Sequence, residues 1–148
     1  MKKFSFSLDT VLDYKGQVLE SKQNEHGRAL AAQTQQEKLI TKLRSEYLSY
    51  KEELNEKRKQ GLTVIEAISY ESYMNHLDSM IRIENEKLED LKEYQEQKRG
   101  EVVEAKKETS TIEKLKDKKK KEYDKIFLKK DELFIEEFVS NSMASGKN

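Results

Sequence analysis

The chain has 148 residues, with 29 Lys and Arg against 29 Asp and Glu, and this formal net charge of zero provides no global field to draw in nucleic acid. The absence of Cys excludes a disulfide framework, a thiolate zinc site and a cysteine nucleophile. With no Pro, only five Gly, 39% charged residues and 34% hydrophobic ones, the composition points to long helices sharing one narrow apolar seam. No apolar run reaches the ~18 residues needed to cross a bilayer.

The chain opens with "FSFSLDTVLDYK", in which Phe4, Phe6 and Leu8 alternate with serines before the apolar spacing turns helical at Val11 and Leu12. Ser7 reads as the N-cap of a first helix, with Asp9 near the positive end of its dipole and Phe6 stapled onto Val11. Asp9 and Asp13 interrupt the 7–15 apolar residues that a secretion signal requires, so a cytoplasmic helix is the expectation.

The helical pattern breaks at "KRKQGLTVIEAISY". Arg58 and Lys59 suit a helix C-terminus, Gly61 the left-handed position beyond it, and Thr63 with Glu66 a capping box for a second helix. Alternating steps of four and three from Leu8 give a seam that includes Leu12, Leu19, Ala29, Ile40, Leu43 and Leu54. The same stepping from Tyr70 gives Met74, Leu77, Ile81, Leu88, Leu91, Val102 and Ile112.

The expected fold is all-α, a long two-helix antiparallel coiled-coil hairpin whose second helix overhangs the first. One coiled-coil domain over 1–148 is expected, with helix one at about 7–59, a turn at about 60–63, helix two at about 64–139 and a frayed tail at 140–148. An antiparallel fold in which position i faces roughly 131 − i sets Leu54 against Leu77, Leu43 against Leu88, Ile40 against Leu91, Ala29 against Val102 and Leu19 against Ile112. It also sets Gln36 against Gln95, Gln33 against Lys98 and Lys15 against Lys116. Tyr123 then faces Leu8 and Phe127 faces Phe4, and everything beyond about Leu128 overhangs. The competing architecture is a parallel dimer, a self-assembling spacer or adaptor, because heptad periodicity does not fix orientation.

Four features stand outside the seam. Gly16, Gly27 and Gly100 each cost ~1 kcal/mol relative to Ala within a helix, and read either as close packing of thin helices or as soft points. "KLKDKKKKEYDKIFLKK" is a basic run that reads as a solvated face, as a docking site for an acidic protein or, less well because stacking aromatics are missing, as a nucleic-acid tether. The overhang carries Phe127, Leu133, Phe134 and Phe138, a surface for a partner. Tyr73, Leu77 and Met80 form an apolar row beside the seam that either widens it or docks a peptide. His26 and His76 fall too far apart for a metal or acid–base pair, and a two-helix rod offers no pocket, so neither catalysis nor a cofactor is expected.

The order and spacing of "KKFSFSLDTVLDYK", "ALAAQTQQEKLITKL", "GLTVIEAISYESYMNHLDSMI" and "EKLKDKKKKEYDK" resemble the FliJ family, the small coiled-coil component of the bacterial flagellar type III export apparatus. The resemblance covers nearly the whole chain. It implies a non-enzymatic stalk at the cytoplasmic face of the basal body, linking a hexameric export ATPase to the membrane export gate and to export chaperones, with no small-molecule substrate and no nucleic acid. By position it implies gate contacts at Tyr73, Leu77, Met80 and Glu84, the last departing from the apolar or histidine character expected there. Leu8, Leu12, Tyr123 and Ile126 would lie nearest the ATPase, by analogy of fold.

Overall fold

The computed structural model describes residues 2–146. Two helices pack against each other, α1 (Asp9–Gln60) and α2 (Val64–Ser145), and no strand occurs among the described residues. The all-α hairpin expected from composition and periodicity is what forms.

The turn obeys its local chemistry. Gly61 takes φ of 109° and its N–H donates to the Lys57 carbonyl at 3.0 Å, the single bond of a left-handed helix cap. Thr63 opens α2: its hydroxyl accepts from the Glu66 N–H at 3.1 Å and its carbonyl accepts from Ala67 at 3.0 Å.

At the start of α1 the cap falls one residue later than expected. Leu8, not Ser7, provides the first helical acceptor, receiving the Leu12 N–H at 2.8 Å, after a turn in which Asp9 N–H donates to Phe6. The staple therefore loses its geometry: Phe6 is buried while Val11 stays exposed. α2 continues to Ser145, past the expected end near 139, because nothing interrupts it before Gly146, whose N–H donates to Ser142. Positions 147 and 148 of the expected tail lie outside the described residues.

The chain forms two compact units, one spanning Ser21–Val103 and the other made of the two chain ends, up to Glu20 and from Glu104. In the Ser21–Val103 unit the core consists of Ala29, Ile40, Leu43, Leu54 and Leu77. Its register differs from the expected one by about a heptad. Gln36, expected opposite Gln95, donates to Glu84; Gln95 instead meets His26; and Glu53 accepts from Tyr70. The cause is the turn. A connection of residues 61–63 folds the chain about Leu62, which brings position i opposite roughly 124 − i, twice 62. An offset of 131 needs a fold point inside the first turn of α2, where Thr63 already caps the helix.

The unit of the chain ends buries Phe6, Ala105 and Thr109. Thr109 is accommodated because its hydroxyl lies 2.8 Å from the Ala105 carbonyl and 3.3 Å from that of Lys15. Lys15, expected against Lys116, meets Glu108 at 3.0 Å, and Lys116 meets Asp9 at 2.7 Å, so one expected like-charge layer is replaced by two ion pairs. Tyr123, expected against Leu8, meets Phe4 with ring centroids 5.5 Å apart and donates to the Lys2 carbonyl at 2.6 Å. Phe127 stacks on Tyr123 of its own helix rather than on Phe4. Beyond Tyr123 every described residue of α2 is exposed, and that is the overhang.

A Cβ added at Gly16, Gly27 or Gly100 would meet nothing within 4 Å. Close packing therefore does not account for these glycines.

Candidate functional site

The first turns of α2 present an uncovered apolar strip in the Ser21–Val103 unit. A helix can bury only one stripe against a single partner, so apolar residues on a second stripe stay in water. Ile65 and Ile68 are 81% and 61% exposed, and they continue through Ser72, Tyr73 and His76 as a shallow groove along the helix. Ile83 extends the same face.

The four residues expected to contact the gate divide between core and surface. Leu77 is 1% exposed and fills the core. Tyr73 is partly open, its ring 4.4 Å from that of Tyr50 and 6.4 Å from that of His76; burial followed by the charge of Glu46 pushes its hydroxyl pKa up. Met80 is half-buried beside it in sequence order along the same row. The Glu84 carboxylate is held from within the chain, accepting from the Gln36 amide at 2.6 Å and from Lys87 at 3.2 Å, while the same amide donates to the Glu84 carbonyl at 2.9 Å. These bonds, Gln36 first and Lys87 second, hold its pKa below the usual carboxylate range. The accessible strip is thus Ile65, Ile68, Tyr73, Met80 and Ile83. Ile65, Ile68 and Ile83 are absent from the sequence-derived row, although their apolar character outside the seam was the available signal.

Next along this unit, Lys98 donates to Glu25 at 3.2 Å and approaches Glu101 at the same distance, and Lys22 lies 3.5 Å from Glu101. Lys98 is held above its usual pKa by Glu25 and then Glu101; Glu25 is held below its usual pKa by Lys98 and then Lys22. The Gln95 amide nitrogen lies 2.9 Å from His26 Nε2 in this stretch, joining two seam positions, whereas Gln33 bonds only to Glu37 of its own helix.

In the unit of the chain ends, residues 2–7 cross α2 and leave an open cleft walled by Phe4, Phe6, Tyr123 and Ile126 and edged by Lys2, Lys119 and Lys130. Lys120 lies over the Phe4 and Tyr123 rings, 5.2 and 5.1 Å from their centroids. Of the residues expected near the ATPase, Tyr123 and Ile126 share this cleft. Leu8 and Leu12 are half-buried at the start of α1 and do not line it. Phe4 and Phe6 line it without having been assigned to a site from the sequence. Further along the overhang, Phe127, Leu133, Phe134 and Phe138 are exposed.

Comparison with known families supplies the identity. The family model described as "Flagellar FliJ protein" matches residues 4–148, nearly the whole chain. The chain belongs to the FliJ family. Neither a curated protein nor a solved structure matches it. Membership makes this FliJ-family chain a component of the flagellar export apparatus, a structural family rather than one known for catalysis. No helix among the described residues is long and apolar enough to cross a membrane.

Proposed function

We propose that this chain is a non-enzymatic linker of the flagellar export apparatus, working at the cytoplasmic side of the basal body, that connects the hexameric export ATPase to the membrane export gate and to export chaperones. The observation that carries the reading is the uncovered strip at the start of α2, in a chain of the FliJ family: Ile65, Ile68 and Tyr73 are held by a helix whose opposite face is locked into the core by Leu77. A fixed apolar strip on one helix face is suited to a partner peptide or groove. In this reading Tyr73 and Met80 make the gate contact, Leu77 sets the height of the row from below, and Glu84 positions the helix through Gln36 rather than touching the gate.

The cleft formed by residues 2–7 and α2 is the ATPase contact, with Tyr123 and Ile126 at its floor and lysines at its edge. Leu8 and Leu12 support that end from the start of α1. The chain conveys position and contact, and the ATPase performs the chemistry.

The test is titration of the purified chain against the purified ATPase and against the cytoplasmic region of the gate protein. Both should bind, and Tyr123→Ala with Ile126→Ala should weaken only the ATPase complex. Failure of either protein to bind, or equal weakening of both by the cleft substitutions, would overturn the reading.

A further inference from the structure

In the unit of the chain ends, the lysines of the basic run on α2 fall into two groups. Lys116 pairs with Asp9, Lys119 with Glu122 and Lys120 with Asp124. Lys114, Lys118, Lys121 and Lys125 instead line one shallow depression together with Asp117 and Glu122, and among the described residues none of these four pairs with a carboxylate. All four are exposed. At about 100° per residue they stand about 160–220° around α2 from Tyr123, on the side away from that ring, and at i, i+4, i+7 and i+11 they form a straight row about 16 Å long. Like charges three and four residues apart weaken a helix, so the row works against the segment that carries it.

We propose that this lysine row docks an acidic helix of another protein, one whose carboxylates repeat at the same spacing. The depression has no aromatic side chain for a base to stack on and no apolar one to enter a bilayer. The last Arg of the chain is Arg99, so the planar fork that grips phosphate in two bonds is missing from this end. Asp117 decides between the remaining anions. It is exposed and, among the described residues, makes no ion pair, and it stands within the depression where a surface of uniform negative charge would repel it. A helix carries its own charge sequence and can set a Lys or Arg against Asp117 while its carboxylates meet the row. Complementary charge along a row orients and speeds docking more than it tightens it, so the contact is a weak one. The proposal does not depend on the export reading, because the row lies on the side of α2 away from Tyr123.

The test is an NMR titration of the full chain at about 50 mM salt. The probes are an alanine-rich helical peptide with Glu at i, i+4, i+7 and i+11, a peptide of the same composition with its Glu residues spread around the helix, and a short DNA duplex; co-sedimentation with phosphatidylglycerol vesicles accompanies them. The row peptide should shift the resonances of residues 114–125 and bind at least about fivefold more tightly than the spread peptide. Lys118→Gln, Lys121→Gln and Lys125→Gln together should weaken it at least about tenfold, whereas Lys38→Gln, Lys42→Gln and Lys51→Gln, which remove the same charge from exposed positions on α1, should leave it unchanged. The row variant should melt at or above the natural chain, because like-charge repulsion is relieved. Equal binding of the two peptides, or equal weakening by the two triple variants, would reduce the effect to general attraction and overturn the proposal. So would the absence of binding by the row peptide, and so would tighter binding of the duplex or the vesicles, which would make the row a site for a polyanion or a lipid surface.

Discussion

Gln36 on α1 grips Glu84 on α2 twice, donating to the carboxylate at 2.6 Å and to the backbone carbonyl at 2.9 Å. One side chain thus reads both the identity and the backbone position of its partner, which makes this pair a register pin for the Ser21–Val103 unit. It also occupies an acidic residue that would otherwise stand beside the exposed strip. Gln36→Leu should lower the thermal midpoint by a few degrees and bring the Glu84 pKa closer to the usual carboxylate value, because its largest source of stabilisation is removed. Circular dichroism melts with carboxyl titration by NMR would show this; an unmoved Glu84 would mean that the bond does not form in solution.

Leu77 and Ile65 lie about three turns apart on α2 and meet different surroundings, 1% against 81% exposed. Leu77→Ala should cost about 2–5 kcal/mol, the range for emptying a core leucine site. Ile65→Ser should leave stability within about 0.5 kcal/mol. Urea titrations of the two variants test the division between core and strip, and similar losses in both would contradict it.

Gly27 and Gly100 occupy helix interiors with open space where a Cβ would stand. Alanine at either position should therefore raise stability by about 0.5–1 kcal/mol through helix propensity. Gly61, with φ of 109°, should respond in the opposite sense. Chemical denaturation of the three single variants reads all of this; a loss at Gly27 or Gly100 would restore the close-packing explanation.

The cluster of Lys22, Glu25, Lys98 and Glu101 gives the Ser21–Val103 unit a pH signature. The Glu25 carboxyl is held below its usual pKa by Lys98 and then Lys22, so its contribution is present at neutral pH and is lost as pH falls through the carboxylate range. The Lys98 ammonium is held above its usual pKa, so its contribution is present at neutral pH and is lost as pH rises through and beyond the lysine range. The melting midpoint should stay level near neutrality and decline below about pH 4. Lys98→Gln should lower the midpoint at neutral pH and make the acid decline shallower. Parallel declines in the two proteins would show that the cluster is not the cause.

Much of this architecture is legible in the sequence because its determinants are local. Gly61 and the Thr63 to Glu66 spacing specify a helix stop and start within a few residues, and the structure builds both. The register is not local. A seam that repeats every seven residues is nearly unchanged by a slip of seven, so offsets of 131 and 124 both set seam against seam, and pattern alone does not choose between them. The choice belongs to the turn midpoint at Leu62 and to pairs such as Lys15 with Glu108, which the longer offset replaced by Lys15 with Lys116. The candidate site was half legible for a related reason. Periodicity identifies an extra apolar row at Tyr73, Leu77 and Met80, but the depth of each residue depends on where the opposing helix sits, and Leu77 falls beneath it. Ile65 and Ile68 are not marked by the seam pattern because they precede Tyr70, its first residue on α2.

The most direct measurement for the proposed linker is calorimetric titration of the intact chain, natural and with Tyr73→Ala and Met80→Ala together, against the purified cytoplasmic region of the export gate, alongside melts of both proteins. The expected result is at least about tenfold weaker binding by the variant, the scale of losing interface anchors, with a melt close to that of the natural chain. Equal binding by both proteins would contradict the assignment of this strip to the gate, and weaker binding accompanied by an equal loss of fold would show the row to be core.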